Sequence, residues 1–144
     1  MTVRGARYAA AVLVGAGVLS VAPTAAAAPV PLTGTQWRFE SSGFARTAPE
    51  RYTGSPAYFS ITGKGGGGND GCNVFGMDVA LDGDRARFSG LVSTLRACVA
   101  PGAGEQFRAA FSGVRTVRVE GNRLRVTDGP RGYWTFVAAG PAKR

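Results

Sequence analysis

Beyond an apolar N-terminal stretch, apolar and polar residues alternate in short runs that glycine and proline interrupt, which is typical of an all-β domain. Trp37 and Phe39 fall on one face of the run 35–40, with polar residues on the other face, and this pattern predicts a first strand. The run 57–62 predicts a second strand in the same way, with Phe59 on its apolar face.

Glycine and proline dominate two stretches that show no periodicity. Residues 41–56 predict a long connection. The glycines at 65–68 predict a flexible approach to a tight bend, or a hairpin tip, because glycine tolerates the dihedral angles that such bends require. A hairpin is predicted next, with strands over 74–81 and 85–88 and a turn at 82–84.

Residues 90–98 predict irregular structure or a short strand. After them, a single segment has helical periodicity, and it predicts a helix over 105–112 with Gly113 at its end. The apolar residues at helical spacing are Phe107, Ala110, Phe111 and Val114.

The C-terminal third predicts a three-stranded meander. Val117 and Val119 alternate with charged residues, Gly121-Asn122 predicts a two-residue turn, and the remaining strands are expected over 123–126 and 133–137. The turn places Arg118 opposite Arg125 and Glu120 opposite Arg123. Like charges across a strand pair are unfavourable, so a neighbouring carboxylate or an anionic partner should relieve the first pair.

Residues 1–27 have the organisation of a Sec-type secretory signal peptide. Two arginines precede an apolar stretch over 9–21 that is too short to span a bilayer, and small residues follow it. We expect cleavage after Ala26 or Ala27, a folded domain over 28–137 and a flexible tail over 138–144. No cysteine lies near the cut, so a lipoprotein anchor is not expected, and the protein should be secreted or extracytoplasmic. An uncleaved, N-terminally anchored form is the alternative.

The charge balance suggests the class of partner. The 144 residues include 17 Lys and Arg, 9 Asp and Glu and no His, which gives a formal net charge of +8. Such a balance favours an anionic envelope polymer or lipid, although solubility alone also explains it. Export argues against nucleic acid, and we expect a monomer. Arg118, Arg123 and Arg125 form the candidate anion-binding face, with an ordinary solvated sheet face as the alternative.

Two cysteines in an exported chain predict one disulfide, because the compartment is oxidising and an even count leaves no free thiol. A Cys72–Cys98 bridge would close a loop of about 27 residues and contribute about 3.5 kcal/mol. Without histidine, Ser-His and Cys-His catalysis and a metal site are not expected, so we predict no enzymatic activity, no cofactor and no metal. Asp78, Asp82 and Asp84 suit a solvated turn better than a calcium site.

The glycine-rich stretch 63–68 formally matches a dinucleotide-binding pattern, but a strand pattern follows it where that motif requires a helix. We therefore predict a scaffold role for the residues after it. Gly71 permits a positive φ, and the amide of Asn73 is expected to brace the bend, with direct ligand contact as the alternative.

An ordered set of short motifs resembles a known family. The segments are Gly34-Thr35-Gln36-Trp37, Gly71-Cys72-Asn73 with Phe75, Ser93-Thr94 with Ala97-Cys98, Glu105 with Phe107, and Leu124. Their order and spacing resemble the META domain, also called the HslJ-like domain, from about residue 32 to residue 137. Within these motifs we assign a structural role to Thr94, in addition to Gly71 and Asn73.

The resemblance implies a mainly β fold: a small, partly open antiparallel β-barrel of lipocalin-like topology with one packed α-helix. It also implies the pairing of Cys72 with Cys98. Members of this family are exported or lipid-anchored envelope proteins, linked in one branch to heat shock and drug tolerance, and their fold is similar to that of a lipid-binding secretion pilotin. The family has no agreed enzymatic activity.

The leading functional hypothesis is a non-enzymatic, exported module for cell-envelope stress or binding, with an unknown ligand. The alternative is a carrier of a small apolar or lipid ligand in the barrel mouth. The aromatic residues that would line its cavity, if they do not simply form the core, are Trp37, Phe59, Phe75, Trp134 and Phe136.

Overall fold

The computed structural model describes residues 27–44, 46–100 and 102–143, so all of the predicted signal peptide except Ala27 lies outside the described residues. This part of the chain is mainly β, as predicted. Its strands are β1 Thr35–Gly43, β2 Glu50–Arg51, β3 Tyr58–Thr62, β4 Gly65–Asn69, β5 Val74–Asp82, β6 Arg85–Ser93, β7 Gly113–Glu120, β8 Arg123–Thr127 and β9 Tyr133–Pro141.

The strands form one antiparallel sheet that closes on itself. Consecutive strands from β3 to β9 are neighbours, and β1 pairs with β3 on one side and with β9 on the other. The result is a closed eight-stranded antiparallel barrel, with the two-residue β2 added beside the end of β1. Closure matters because it leaves these strands without a free edge.

A short helix packs into the barrel. Helix α1 covers Gly104–Arg108 and continues as one 3₁₀ turn over Ala109–Phe111. The predicted helix and its buried face are confirmed for Phe107, Ala110 and Phe111. Val114 was wrongly placed on that face, because Gly113 has a φ of 71° and begins β7 instead.

The barrel interior is filled by aromatic side chains. Phe111 lies at its centre, with ring centroids 4.6 Å from Phe59, 5.6 Å from Phe75 and 5.5 Å from Phe88. Phe107 lies 5.4 Å from Phe39 and adds an edge-to-face contact. Aromatic pairs in this range contribute about 0.5–1.5 kcal/mol each beyond area burial, so the helix anchors the strands around it.

The prediction of a bend or hairpin tip for 65–68 is wrong, because these glycines form most of strand β4. Gly66 lies opposite Ile61, and Gly68 opposite Phe59 on one side and Phe75 on the other. A Cβ on Gly68 would overlap the carbonyl oxygen of Tyr58. Glycine is therefore required here for the close approach of neighbouring backbones, a role that strand glycines commonly have.

The meander and its register are confirmed: Arg118 lies opposite Arg125, and Glu120 lies opposite Arg123. The hairpin of β5 and β6 is also confirmed.

Two boundaries differ from the prediction. Strand β1 continues through Gly43, and the predicted connection 41–56 also contains β2. The predicted tail is wrong for residues 138–141, which extend β9 and pair Ala138 with Trp37. Its small residues gave no alternating pattern, but their backbone groups complete the β1–β9 ladder.

Candidate ligand-binding site

The turn that leads into the first cysteine is organised by Asp70, which is fully buried. Its Oδ1 accepts hydrogen bonds from the backbone N–H groups of Cys72 (3.0 Å) and Asn73 (2.6 Å), and its Oδ2 accepts one from the guanidinium of Arg108. Carboxylates commonly cap such turns by bonding to main-chain groups two and three residues ahead. The ion pair fastens this turn to helix α1.

Asn73 and Thr94 join the turn to the end of β6. The side-chain oxygen of Asn73 accepts hydrogen bonds from the hydroxyl of Thr94 (3.0 Å) and the backbone N–H of Arg96 (2.7 Å). The Thr94 hydroxyl accepts one from the backbone of Val74 (3.1 Å). Gly71 has a φ of 89°, the left-handed conformation that its position was predicted to need.

The disulfide between Cys72 and Cys98 is confirmed, with the two Cα atoms 5.9 Å apart. It ties the turn to the segment after β6, beside the hydrogen bonds of Asn73. The turn, the disulfide and the Asp70–Arg108 ion pair form one scaffold.

Asp70, Arg108 and Tyr52 were missed in the sequence. The Asp-Gly-Cys-Asn run carries a signal for a side-chain-capped turn, but nothing local indicates the partner 38 residues away. Burial raises the pKa of Tyr52 above its usual value near 10.0, and the negative charge of Asp70 adds to this increase. The Tyr52 hydroxyl donates a hydrogen bond to the carbonyl of Ser55 (2.6 Å).

The three arginines of the candidate anion-binding face each contact a group of the protein itself. Arg118 lies 3.9 Å from Asp84, Arg123 forms an ion pair with Glu40, and the Arg125 guanidinium lies 4.2 Å from the ring centroid of Tyr133. The neighbouring carboxylate that the Arg118–Arg125 pair was expected to need is therefore Asp84.

The five aromatic residues of the candidate apolar pocket are all buried. Phe59, Phe75 and Phe136 pack against other rings of the core, and Trp37 is fully buried beside them. Trp134 differs, because it also forms part of the wall of a cavity that opens to solvent. Of the predicted lining, only this residue reaches that cavity.

This cavity, which we call the mouth pocket, has a volume of about 590 Å³. It lies between the end of β1, the loop that follows β1, helix α1 and the loop between β8 and β9. Its volume is within the range of small-molecule sites. Representative residues of its wall are Phe44, Ala48, Gln106, Ala109, Arg115 and Trp134.

Hydrogen bonds hold the wall of the mouth pocket in place. The indole N–H of Trp134 donates to the backbone carbonyl of Gln106 (2.8 Å), and the Gln106 side-chain amide donates to the hydroxyl of Ser42 (2.5 Å). The β1 end, the helix and β9 are therefore linked around the cavity.

Arg115 is the least exposed charged residue of the mouth pocket, with 11% of its side chain exposed. Its Nη1 lies 3.4 Å from Asp128, and its two terminal nitrogens donate to the carbonyls of Val114 and Ala109, each at 3.1 Å. The guanidinium carbon lies 5.7 Å from the ring centroid of Trp134. The site thus combines apolar walls with one partly neutralised cation.

The described residues contain no cluster of three or more acidic or cysteine side chains arranged to hold a metal ion. Within the same ranges, the helices are too short or too polar to cross a membrane.

The fold and the pocket define a small, closed β-barrel protein with a helix inserted among its core aromatics and an apolar cavity at its mouth. Residues 30–141 match the META domain family, and the chain belongs to this family. The resemblance seen in the sequence motifs is confirmed.

Two solved structures have a similar fold. One is an NMR structure of a protein from Burkholderia xenovorans, with 20% sequence identity and a TM-score of 0.62, covering 84% of this chain and 99% of that chain. The other is also an NMR structure, with 20% identity and a TM-score of 0.58, covering 76% and 92% of the two chains. At this identity the similarity shows the fold alone. No curated protein is significantly similar to the chain.

Proposed function

We propose that this protein is a non-enzymatic, exported binding module of the cell envelope that holds a small apolar or lipid ligand in the mouth pocket. The observation that carries this proposal is the cavity of about 590 Å³ whose apolar walls surround a few polar groups, which is the usual composition of a ligand site. The carrier hypothesis keeps its place at the barrel mouth but changes its lining, because four of the five predicted aromatic residues pack in the barrel interior and only Trp134 borders the mouth pocket.

Two features support the other parts of the proposal. The chain contains no histidine, and its two cysteines form a disulfide, so the usual nucleophile–base pairs are missing from its composition. A disulfide is compatible with export, and the first 27 residues have the pattern of a signal peptide. The envelope-stress role stays a prediction that rests on the family resemblance.

An anionic polymer on the outer face of the meander has less support. Arg118, Arg123 and Arg125 already contact Asp84, Glu40 and Tyr133. Exposed pairs of this kind contribute little, about 0–1 kcal/mol, so a polyanion could displace them. Arg123 and Arg125 also line a cavity of about 400 Å³, but it is smaller than the mouth pocket, and Glu40 in its wall already supplies a carboxylate to Arg123.

Native mass spectrometry of the protein purified from its own host tests the proposal. We expect an additional mass on the folded protein that is lost on unfolding. The matched variants are Ala48→Trp, which would fill the mouth pocket from its loop, and Ala97→Trp, which adds the same side chain to an exposed residue near the disulfide.

The additional mass should disappear in the first variant and remain in the second. A wild-type protein that carries no additional mass would contradict the proposal, as would a ligand that both variants retain equally. Circular dichroism of the two variants establishes that each is folded.

A further inference from the structure

We propose that the mouth pocket selects amphiphiles with an anionic head group, and that Arg115 binds this head group. The inference rests on the proposed function, since it names the chemical class of ligand for the same cavity. The ligand would place its apolar body against the apolar walls and its carboxylate or phosphate at the guanidinium.

The first argument is the burial of the Arg115 charge. Only 11% of its side chain is exposed, and one face of its guanidinium is near the Trp134 ring, so water solvates this cation poorly. An isolated buried cation is unfavourable unless it is paired and hydrogen-bonded. A site built around such a cation favours an anion over a neutral group of the same size.

The second argument is that the pairing of Arg115 within the protein is incomplete. A guanidinium has five N–H donors. Two hydrogen bonds go to main-chain carbonyls, and Asp128 lies at 3.4 Å, a long distance for a charge-assisted bond. Among the described residues, no group accepts a hydrogen bond from the buried Nε, so the guanidinium is not fully hydrogen-bonded. The donors within reach of an oxyanion are the second N–H groups of the two terminal nitrogens.

The third argument concerns the other charges of the pocket. Asp128 has 27% of its side chain exposed and belongs to the loop between β8 and β9, so it can turn toward water when a ligand anion replaces it. Arg131 and Glu50 also line the pocket and are both exposed, so their opposite charges are screened by solvent. Arg115 is the charge that an inserted head group would contact.

Arginine is suited to this task because its planar fork matches a carboxylate or a phosphate with two parallel hydrogen bonds. Hydrogen bonds to charged groups contribute more than neutral ones, which predicts a preference of about tenfold or more for an anionic head over a neutral head. A cationic head should be rejected.

The test uses ligands of equal chain length: decanoate, decanol, decyltrimethylammonium and monodecyl phosphate. Binding to the full folded protein is measured below the critical micelle concentration, by tryptophan fluorescence and by calorimetry. Trp134 lines the pocket and Trp37 is buried in the core, so a Trp134→Phe variant identifies the part of the signal that arises at the pocket.

In the wild-type protein, decanoate or monodecyl phosphate should bind about tenfold more tightly than decanol, and decyltrimethylammonium most weakly. The ranking of decanoate against monodecyl phosphate distinguishes a fatty-acid carboxylate from a phosphate head group. Arg115→Gln should remove the preference for the anion, so that decanoate and decanol bind with similar affinity. Arg118→Gln removes an equal charge from an exposed position of the same strand and should preserve the preference.

Asp128→Asn keeps the proposal testable if Arg115→Gln does not fold, because it predicts a change in the opposite direction. It removes the competing carboxylate, so the preference for decanoate over decanol should increase several-fold.

Equal binding of decanoate and decanol by the wild-type protein would overturn the head-group inference and leave the proposed function intact. Tighter decanoate binding that Arg115→Gln preserves would also overturn it. Failure of all four ligands to bind would contradict the proposed function itself.

Discussion

Replacement of Gly68 by alanine should destabilise the barrel severely, although it adds only one methyl group. The added Cβ would overlap the carbonyl oxygen of Tyr58 and lie 2.7 Å from the Cα of Phe59. Both are main-chain atoms of the paired strand, so no side-chain rotation can relieve the contact. Strand β3 or strand β4 would have to shift.

Gly65→Ala is the matched control in the same strand. Its Cβ would lie 3.5 Å from the carbonyl oxygen of Met77, which is an ordinary van der Waals contact. Both substitutions restrict the unfolded chain equally, an effect that stabilises a compatible position by about 0.4–1 kcal/mol. The difference between the two variants therefore isolates the clash at Gly68.

The expected difference in the free energy of unfolding is about 1–3 kcal/mol, the usual cost of overpacking, because the effect on the unfolded chain cancels between the two variants. For a domain of this size it corresponds to a melting temperature about 10 °C lower for Gly68→Ala. Urea unfolding followed by tryptophan fluorescence, with the disulfide intact, measures the difference. Equal midpoints for the two variants would refute the close approach of β4 to β3.

Three further outcomes are expected. Asp70→Asn should lower the free energy of unfolding by about 2–3 kcal/mol in urea, because it leaves the partly buried Arg108 without its charged partner. Asp84→Asn, at an exposed pair, should change it by less than about 0.5 kcal/mol, and similar losses would contradict the role of Asp70. Reducing the disulfide should cost about 3.5 kcal/mol in the same assay, and unfolded, unreduced protein should contain no reactive thiol. Because the pKa of the Tyr52 hydroxyl is raised in the folded state, the folded protein keeps this proton to higher pH than the unfolded chain, so stability should fall as pH rises above about 10. Melting temperatures measured between about pH 8 and pH 11 should fall less steeply for Tyr52→Phe than for the wild-type protein, and identical slopes would count against the raised pKa.

Much of the barrel was predictable where side chains alternate. Trp37 and Phe39 indicated β1, and the two-residue turn at Gly121-Asn122 indicated the register of the meander. Strand β4 was not predictable in this way, because four consecutive glycines carry no side chains to alternate. Their function depends on the neighbouring strands, which local sequence does not show.

The features of the candidate site also differ in whether local sequence predicts them. The disulfide followed from composition and the expected compartment, and the hydrogen bonds of Asn73 followed from its position in a bend. The Asp70–Arg108 pair and the mouth pocket depend on contacts between distant segments. Arg115 occurs in a run of alternating strand residues, and nothing in that pattern distinguishes a buried arginine from an exposed one.

The pairing of β1 with β9 also has a consequence for how the chain folds. It joins Thr35 to Pro141, so the final seam connects segments about a hundred residues apart, and such non-local contacts are typical of slowly folding β proteins. Until that seam forms, β1 and β9 each present an unsatisfied edge to other chains. Aggregation during refolding should therefore depend on protein concentration most strongly before β9 pairs with β1.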